Sequence, residues 1–378
     1  MIEFEIEGDV LYNCNDGFNQ HNAEIVIPDG IRVIKRDALK FCYTVRLVIP
    51  KSVEVIEDGA FYFIRVDEVE NNSSIELPTD QKTLSNMFGM PPLSVCKSGE
   101  SRLVTDSEGF VFLSSEQPIL VDYVGSGGDI TLPEHFDARK YEIGHYAFKH
   151  ISSITAVTVP STVSVIGAGA FENCEELTAV TLLGAEVIGF AAFSECPSLC
   201  KISLNDGLRE IGECAFQFCE KIVELDIPRS VTLIGRSALQ YCESLERLSI
   251  PVCDIGDDRV DPREYYFGKL FGARDRIIQS VDSRPPRCLK ELTLYGDIPD
   301  WSFVTAYGLR ELTLVGARRI GDHAFYDLPR LERVVLPEGL AVIGYRAFAK
   351  CTSLEFLTLP EDVEIHKDAF VDCPLLTL

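Results

Sequence analysis

The residue types that most often carry chemistry are scattered along this chain of 378 residues. None of the 6 histidines lies in an H-E-x-x-H pattern or beside cysteines at zinc-ligand spacing. The glycine-rich stretch Gly125–Asp129 lacks the Lys-Ser/Thr of a phosphate-binding loop, and a turn at the exit of a hairpin explains it better. A G-x-S-x-G nucleophile motif is also absent. We therefore expect no catalytic residues, no cofactor and no metal, and we predict that the chain is not an enzyme.

One acidic cluster could in principle bind Ca²⁺ through carboxylate oxygens. Its members are Asp254, Asp257, Asp258 and Asp261. The cluster lacks the Asp-x-Asp-x-Asp-Gly register and the trailing Glu of a calcium loop, which favours a solvated loop. An enzyme site in residues 79–130 or 252–288 remains an alternative. It would need convergent polar groups with shifted pKa values, and no such set is visible.

A repeat of 22 or 23 residues dominates the sequence. Four successive units begin at Ile166, Ile188, Ile211 and Ile234. Each starts with I-x-x-x-A-F-x-x-C-x-x-L, whose spacing indicates a helical or 3₁₀ segment with one buried face. The period then changes to two, as at Leu225 and Ile227, and indicates a short strand that a proline often ends. A sustained period of this length is typical of a solenoid, in which each unit is stabilised by its neighbours.

The glycine that often follows the isoleucine, as in Gly212 and Gly235, indicates either a positive φ or a close approach of two backbones. The ninth position of the repeat is usually cysteine. Seven of the 13 cysteines occupy it: Cys42, Cys174, Cys196, Cys219, Cys242, Cys351 and Cys373. Elsewhere this position holds Ile64, Ile151 or Leu328, so we expect these cysteines to be buried as small apolar side chains.

These motifs resemble the BspA-like class of leucine-rich repeats, a bacterial-type variant with short repeats of the form I-G-x-x-A-F-x-x-C-x-x-L-x-x-V-x-I-P. About ten copies cover most of the chain, and the aromatic stretch YYFGKLFGA is similar to a segment found at the same place in relatives. The resemblance implies an α/β repeat solenoid. In it a right-handed, curved coil would carry a parallel β-sheet on its concave face and short helical or 3₁₀ convex segments. It also implies protein or host-surface binding without catalytic residues.

The phase of the repeat predicts six segments. Residues 1–28 form an N-terminal hairpin cap with the first strand, and residues 29–78 form regular repeats. Residues 79–132 are an irregular insertion with a β-hairpin, followed by repeats over 133–251. Residues 252–288 are an aromatic and acidic insertion, and repeats resume over 289–378.

Composition excludes some classes of partner. The formal net charge of −24 argues against nucleic acid and anionic membrane surfaces, because both attract clustered Lys and Arg. The absence of a run of 18 apolar residues argues against membrane insertion. The start MIEFEIEGDV has neither the basic nor the apolar region of an export signal. Together with so many cysteines, this favours a reducing, cytoplasmic location; the cell surface or the extracellular medium is the alternative, as for many relatives.

We predict a non-enzymatic scaffold that binds a protein partner, with a cell-surface adhesin as the alternative. One candidate surface is the outward column of the predicted sheet, Ala179, Lys201, Glu224, Arg247, Glu291, Glu311, Arg333 and Phe356. Its charges alternate in part, so neighbouring strands could satisfy one another. The other candidate is the aromatic insertion, whose side chains either bind a partner or pack onto the solenoid: Tyr265, Tyr266, Phe267, Leu270 and Phe271. A final strand beginning near Leu376 without a polar cap could allow end-to-end self-association.

Overall fold

A computed structural model describes residues 2–15, 22–62, 64–78, 84, 87–88, 92–96, 102–255, 266–272, 286–304 and 306–377. The chain divides into two compact units. Unit 1 comprises Met1–Gly125 and His135–Ala147, and unit 2 comprises Ser126–Glu134 and Phe148–Leu378. Both are β-solenoid sections with mostly parallel strands and, in the described residues, almost no helix.

The strands of the first part of the chain are β1 (Glu3–Glu7), β2 (Val10–Asn15), β3 (Asn22–Val26), β4 (Val33–Ile34), β5 (Tyr43–Ile49), β6 (Val55–Ile56), β7 (Arg65–Asn71), β8 (Ser94–Cys96), β9 (Arg102–Thr105), β10 (Phe110–Ser114), β11 (Ile119–Tyr123), β12 (Gly128–Thr131) and β13 (Glu142–Ile143). Those of the regular repeats are β14 (Ile154–Val159), β15 (Val165–Ile166), β16 (Ala179–Leu182), β17 (Val187–Ile188), β18 (Lys201–Ser203), β19 (Glu210–Ile211), β20 (Glu224–Asp226), β21 (Leu233–Ile234), β22 (Arg247–Pro251) and β23 (Asp254–Ile255). A short helix, α1 (Tyr266–Leu270), comes before β24 (Glu291–Tyr295), β25 (Glu311–Val315), β26 (Arg319–Ile320), β27 (Arg333–Val335), β28 (Val342–Ile343), β29 (Phe356–Leu357) and β30 (Glu364–Ile365).

In unit 1 the longer strands form a parallel sheet in the order β3-β5-β7-β8. The two-residue strands β4 and β6, which carry the repeat isoleucines, continue the antiparallel hairpin β1-β2. A second hairpin, β10-β11, pairs on one side with β9 and on the other with β13. Its side chains Val111, Leu113, Ile119 and Val121 pack with Val45 of β5 in a separate apolar cluster.

In unit 2 each repeat contributes one longer strand and one two-residue strand. The longer strands form two parallel sheets, β12-β14-β16-β18 and β20-β22-β24-β25-β27-β29. The two-residue strands form separate parallel ladders, in which Ile188, Ile211 and Ile234 are in register. The predicted parallel solenoid is thus confirmed.

The segment between the two strands of a repeat is a series of turns, so the predicted helical or 3₁₀ conformation is not observed. Two residues in most of these segments have positive φ, at repeat positions four and eight, for example Cys214 at 58° and Phe218 at 61°. Residues with positive φ interrupt a helical ladder. The amides bond instead to the next turn of the coil, as Phe216 N donates to Ala238 O at 2.9 Å.

The glycine after the isoleucine marks a close approach of backbones and not a positive φ. A Cβ placed on Gly212 would lie 2.5 Å from the carbonyl carbon of Gly189, closer than real Cβ contacts come. Phenylalanines at position six stack between successive repeats, with ring centroids 5.2 Å apart for Phe171 and Phe193. The stacked rings form the centre of the solenoid core.

The cysteines of position nine have a specific partner. Six of the seven are buried and Cys373 is half-buried. Each thiol from Cys174 onward in this column donates to the carbonyl of the position-six residue one repeat earlier, as Cys219 Sγ does to Phe193 O at 3.1 Å. Cysteine is a small apolar residue with a weak donor, and it therefore fills the core while satisfying a buried carbonyl.

Candidate interaction surface

The predicted outward residues lie side by side on the strands of unit 2. Ala179 is in register with Lys201 in the first sheet. In the six-stranded sheet the register runs Glu224, Arg247, Glu291, Glu311, Arg333 and Phe356. We call these eight residues the strand-face column, and the face of the sheet that carries them the strand face. Most of its members are exposed, because the alternate positions of each strand point into the core.

The charges of the strand-face column are only partly satisfied within it. Arg247 Nη2 donates to Glu224 Oε2 at 2.6 Å, and this hydrogen bond raises the pKa of the arginine. Glu291 and Glu311 lie directly beside each other, and like charges in that arrangement destabilise a sheet. Among the described residues neither carboxylate forms an ion pair within 4.0 Å.

The residues that immediately precede the column are more completely paired. Lys290 Nζ lies 2.8 Å from Glu246 Oε1, and its hydrogen bond lowers the pKa of the glutamate. Arg310 Nη1 lies 2.7 Å from Glu332 Oε1. Both pairs join residues of neighbouring strands, so the charges on this side of the column neutralise one another. Among the described residues, Glu291, Glu311 and Arg333 of the column itself form no ion pair within 4.0 Å.

At β27 and β29 the strand face carries two exposed apolar side chains beside a cavity of about 560 Å³. Its lining includes Arg333, Val335 and Phe356. The Phe356 side chain is 51% exposed and that of Val335 46%. The guanidinium of Arg333 lies 5.4 Å from the centroid of the Phe356 ring. A second cavity, of about 450 Å³, lies beside Asp226 and Tyr295.

The aromatic insertion is not a free binding loop where the structure describes it. Phe267 is 0% exposed, Leu270 0% and Phe271 1%. Helix α1 occupies one turn of the coil: Leu239 N donates to Leu270 O at 2.9 Å, and Phe267 N donates to Ser302 O at 3.1 Å. Of the two alternatives given for this stretch, packing onto the solenoid describes Phe267 and Phe271, because both rings lie in the core. Tyr265, Asp257, Asp258, Asp261 and the side chain of Tyr266 lie outside what the structure describes.

Sequence reasoning missed a buried ionic site on the corresponding face of unit 1. Arg46 precedes Leu47 of an L-x-I-P strand end as Glu224 precedes Leu225, so both occupy the same repeat position. The Arg46 side chain is 14% exposed and contacts Glu24, Glu68 and Glu70, with Nε 3.3 Å from Glu68 Oε1. Glu68 is 0% exposed. The strand VDEVENN is rich in acidic and amide residues, which is typical of a strand exposed to solvent. The sequence therefore shows no sign of the buried ionic network.

A second buried carboxylate lies next to this network. Asp67 Oδ1 accepts the backbone N–H of His145 at 2.6 Å, and the hydroxyl of Tyr43 donates to His145 O at 2.9 Å. Burial raises the pKa of Asp67 to about 8, although the hydrogen bond from His145 opposes this shift. These side chains fix the backbone of His145 to strands β5 and β7 within unit 1.

The remaining predictions concern termini, metals and membranes. Leu376 and Thr377 are not in a strand, so the predicted final strand is wrong; the last strands of the described chain are β29 and β30. Among described residues, no three His, Cys, Asp or Glu side chains are grouped so as to hold a metal ion. No described helix combines the length and apolarity needed to cross a membrane.

Comparison with known proteins supports the repeat assignment. The family model described as BspA type leucine rich repeat region matches in 6 copies, over residues 5–88, 141–258 and 290–378. A search of curated proteins finds no match to the chain.

Solved structures with related repeats come from several bacteria. A leucine-rich repeat protein from Bacteroides ovatus is 21% identical, with 99% of this chain and 91% of that chain covered and a TM-score of 0.38. A leucine rich cell surface protein from Faecalibacterium prausnitzii is 22% identical, with 74% and 88% covered and a TM-score of 0.30. The pneumococcal vaccine antigen PcpA is 18% identical, with 73% and 87% covered and a TM-score of 0.36.

Proposed function

The chain belongs to the BspA-type leucine-rich repeat family, and from this premise we propose that it is a non-enzymatic scaffold that binds a protein partner through the strand face of unit 2. The observation that carries the proposal is the strand-face column itself. Six parallel strands hold its charged residues in register and exposed, and they end in exposed apolar side chains at Val335 and Phe356.

Several physical features support binding at this surface. The register of a parallel sheet fixes the backbone spacing of the column, so the backbone does not have to be ordered on association. Mixed charge with an exposed aromatic residue is typical of protein interfaces, in which aromatic side chains and arginine contribute much of the affinity. The like-charged neighbours Glu291 and Glu311 place two carboxylates side by side on adjacent strands, an arrangement that a cationic partner would complement.

The proposal is tested by affinity capture with a strand-face variant carrying Arg247→Glu, Arg333→Glu and Phe356→Ala. Wild type and variant are used to capture partners from native lysate and from extracellular matrix extract. We expect a protein that binds wild type and is lost by the variant. A matched control carries Arg346→Glu and Lys350→Glu, exposed charges of a turn segment, with Leu375→Ala. Capture unaffected by the strand-face variant, or lost equally in the control, would contradict the proposal.

The two extracts also separate the two cellular roles. We propose an intracellular partner. The position-nine cysteines donate hydrogen bonds to backbone carbonyls as free thiols, and a reducing compartment keeps thiols in that form. The adhesin alternative predicts the opposite outcome, a specific partner from the matrix extract only.

A further inference from the structure

We infer that the partner of the strand face presents a basic side chain, an acidic side chain and an apolar side chain in a row, and that these meet Glu291 with Glu311, then Arg333, then Phe356 with Val335. This inference rests on the proposed function and specifies the chemistry of what binds there.

The cavity beside Phe356 and Val335 can accommodate one large apolar side chain of the partner. The cavity of about 560 Å³ is bounded by the exposed faces of Phe356 and Val335 on neighbouring strands. Burying an aromatic or aliphatic side chain there removes apolar area of both partners from water, which is the dominant favourable term in association. Leu357 and Leu359 extend the apolar part of the lining, and Glu338, Glu355 and Thr358 add polar groups to it.

The charged part of the surface is complementary to a partner with a basic group opposite Glu291 and Glu311 and an acidic group opposite Arg333. Glu291 and Glu311 form a site of double negative charge on adjacent strands, with no ion pair among the described residues. Arg333 stands on the next strand, in register with Glu311 on one side and Phe356 on the other. Arg333 also forms no ion pair with a described carboxylate within 4.0 Å, and its contact is with the Phe356 ring. A guanidinium beside an aromatic ring binds a carboxylate well.

The spacing of strands then sets the spacing of the partner. Neighbouring strands lie about 4.8 Å apart, so Arg333 lies roughly 7 Å and Phe356 roughly 12 Å from the midpoint of the two glutamates. In an extended peptide, every second side chain points the same way at intervals of about 7 Å. An extended segment crossing the strands with the pattern Lys/Arg-x-Asp/Glu-x-apolar therefore places its basic side chain opposite the two glutamates, its acidic side chain opposite Arg333 and its apolar side chain about 2 Å beyond the line of Phe356.

The probe for this inference is a phage-displayed library of short linear peptides with every position randomised, panned on the whole chain. Enriched sequences are then synthesised and their affinity is measured by fluorescence polarisation at low and high salt. We expect enriched peptides to carry a basic residue, an acidic residue two positions later and an apolar residue two positions after that, in either chain direction.

The test variants are chosen to keep the fold. Glu291→Gln with Glu311→Gln keeps the shape of both exposed side chains. We expect this double variant to bind the peptides roughly three- to tenfold more weakly than wild type at low salt, and nearly as well as wild type at high salt. Phe356→Ala should weaken binding about tenfold at either salt concentration. Glu332→Gln is the matched control, because that carboxylate is already paired with Arg310; it should leave affinity unchanged.

The outcomes separate the inference from the function on which it rests. Peptides that lose affinity with the triple strand-face variant, but not with Glu291→Gln and Glu311→Gln, would overturn the inferred chemistry and leave strand-face binding standing. Peptides that bind the triple variant as well as wild type, or the absence of any enriched peptide, would overturn both.

Discussion

The same repeat position carries different chemistry in the two units. In unit 1 it holds Glu24, Arg46 and Glu68 in register, and the arginine and Glu68 are largely or wholly buried. In unit 2 it holds Glu224 and Arg247, whose side chains are 51% and 42% exposed. Hairpin β10-β11 packs against Val45 beside the buried network, whereas most outward residues of the six-stranded sheet of unit 2 are exposed.

This difference teaches that register alone does not decide what a column of charges does. Where water is excluded, an ion pair becomes structural, because removing one member leaves an uncompensated charge. Where water remains, the pair contributes little to folding and stays available to a partner. The four predictions that follow test this contrast, from the largest expected effect to the smallest.

The largest effect is expected from Arg46→Leu. The substitution leaves Glu68 and Glu70 without their cation in a buried setting and should lower the free energy of unfolding of unit 1 by about 3–5 kcal/mol. Arg247→Leu, at the same repeat position in unit 2, should cost at most about 1 kcal/mol. Urea denaturation, combined with hydrogen exchange of strands β5 and β22, measures both. Equal losses in the two variants would mean that the burial contrast has no energetic consequence.

The second effect is a pH dependence that arises from Asp67 in unit 1. The pKa of Asp67 is about 8 in the folded protein, above the unfolded value of about 3.9, because burial disfavours the carboxylate. The folded state therefore holds a proton that the unfolded state releases. Its contribution to stability is fully present below about pH 4 and is lost as pH rises toward 8, by up to about 1.4 kcal/mol per pH unit.

Asp67→Asn should remove this slope, because the amide oxygen can still accept the N–H of His145 without ionising. The measurement is the free energy of unfolding of wild type and variant across this pH range, with hydrogen exchange at His145 as the local readout. Parallel curves for the two proteins would refute a buried, titrating Asp67.

The third effect compares two cysteines on strands of the two units. Burial raises the pKa of Cys96 in β8 to about 11, while Cys200, next to β18, is exposed. Alkylation proceeds through the thiolate, so at mildly alkaline pH Cys96 should react at least roughly tenfold more slowly than Cys200. Mass spectrometry of an iodoacetamide time course measures both rates. Equal alkylation rates of Cys96 and Cys200 in the native protein, unchanged relative to each other when urea is added, would contradict the burial of Cys96 in unit 1.

The smallest effect is expected for the exposed pair Glu224 and Arg247. A double-mutant cycle with Glu224→Gln and Arg247→Leu should give a coupling energy of about 0.2–1 kcal/mol, decreasing as salt is added. A coupling of several kcal/mol that persists at high salt would mean that this pair is structural, as in unit 1.

The sequence was sufficient to predict the repeat, the parallel strands and the order of the strand-face column. These features depend on periodic apolar residues such as Ile211 and Leu225, whose burial the solenoid requires. The turn conformation was not predictable from the same pattern: positive φ occurs at Cys214, Phe218 and Tyr241, residue types that give no glycine-like signal.

Burial by a distant segment was also beyond the sequence pattern. The acidic residues Asp67, Glu68 and Glu70 have the composition of a solvated strand, and their burial depends on tertiary contacts, among them those of Asp67 with His145 and of hairpin β10-β11 with the neighbouring Val45. The aromatic insertion was ambiguous for the related reason that Phe267 and Phe271 could either fill a gap in the phenylalanine stack or face a partner. The contact of Phe267 with Phe303 and the contact of the two rings with each other place them in the core.

The most direct test of the account is a hydrogen-exchange footprint of the whole chain with and without the captured partner. We predict that protection on binding concentrates in strands β24, β25, β27 and β29 of unit 2, around Glu291, Glu311, Arg333 and Phe356. Strands β5 and β7 of unit 1 should show no change. Protection restricted to unit 1 or to the turn segments, with no change in these four strands, would contradict the claim that the open strand face is the binding surface.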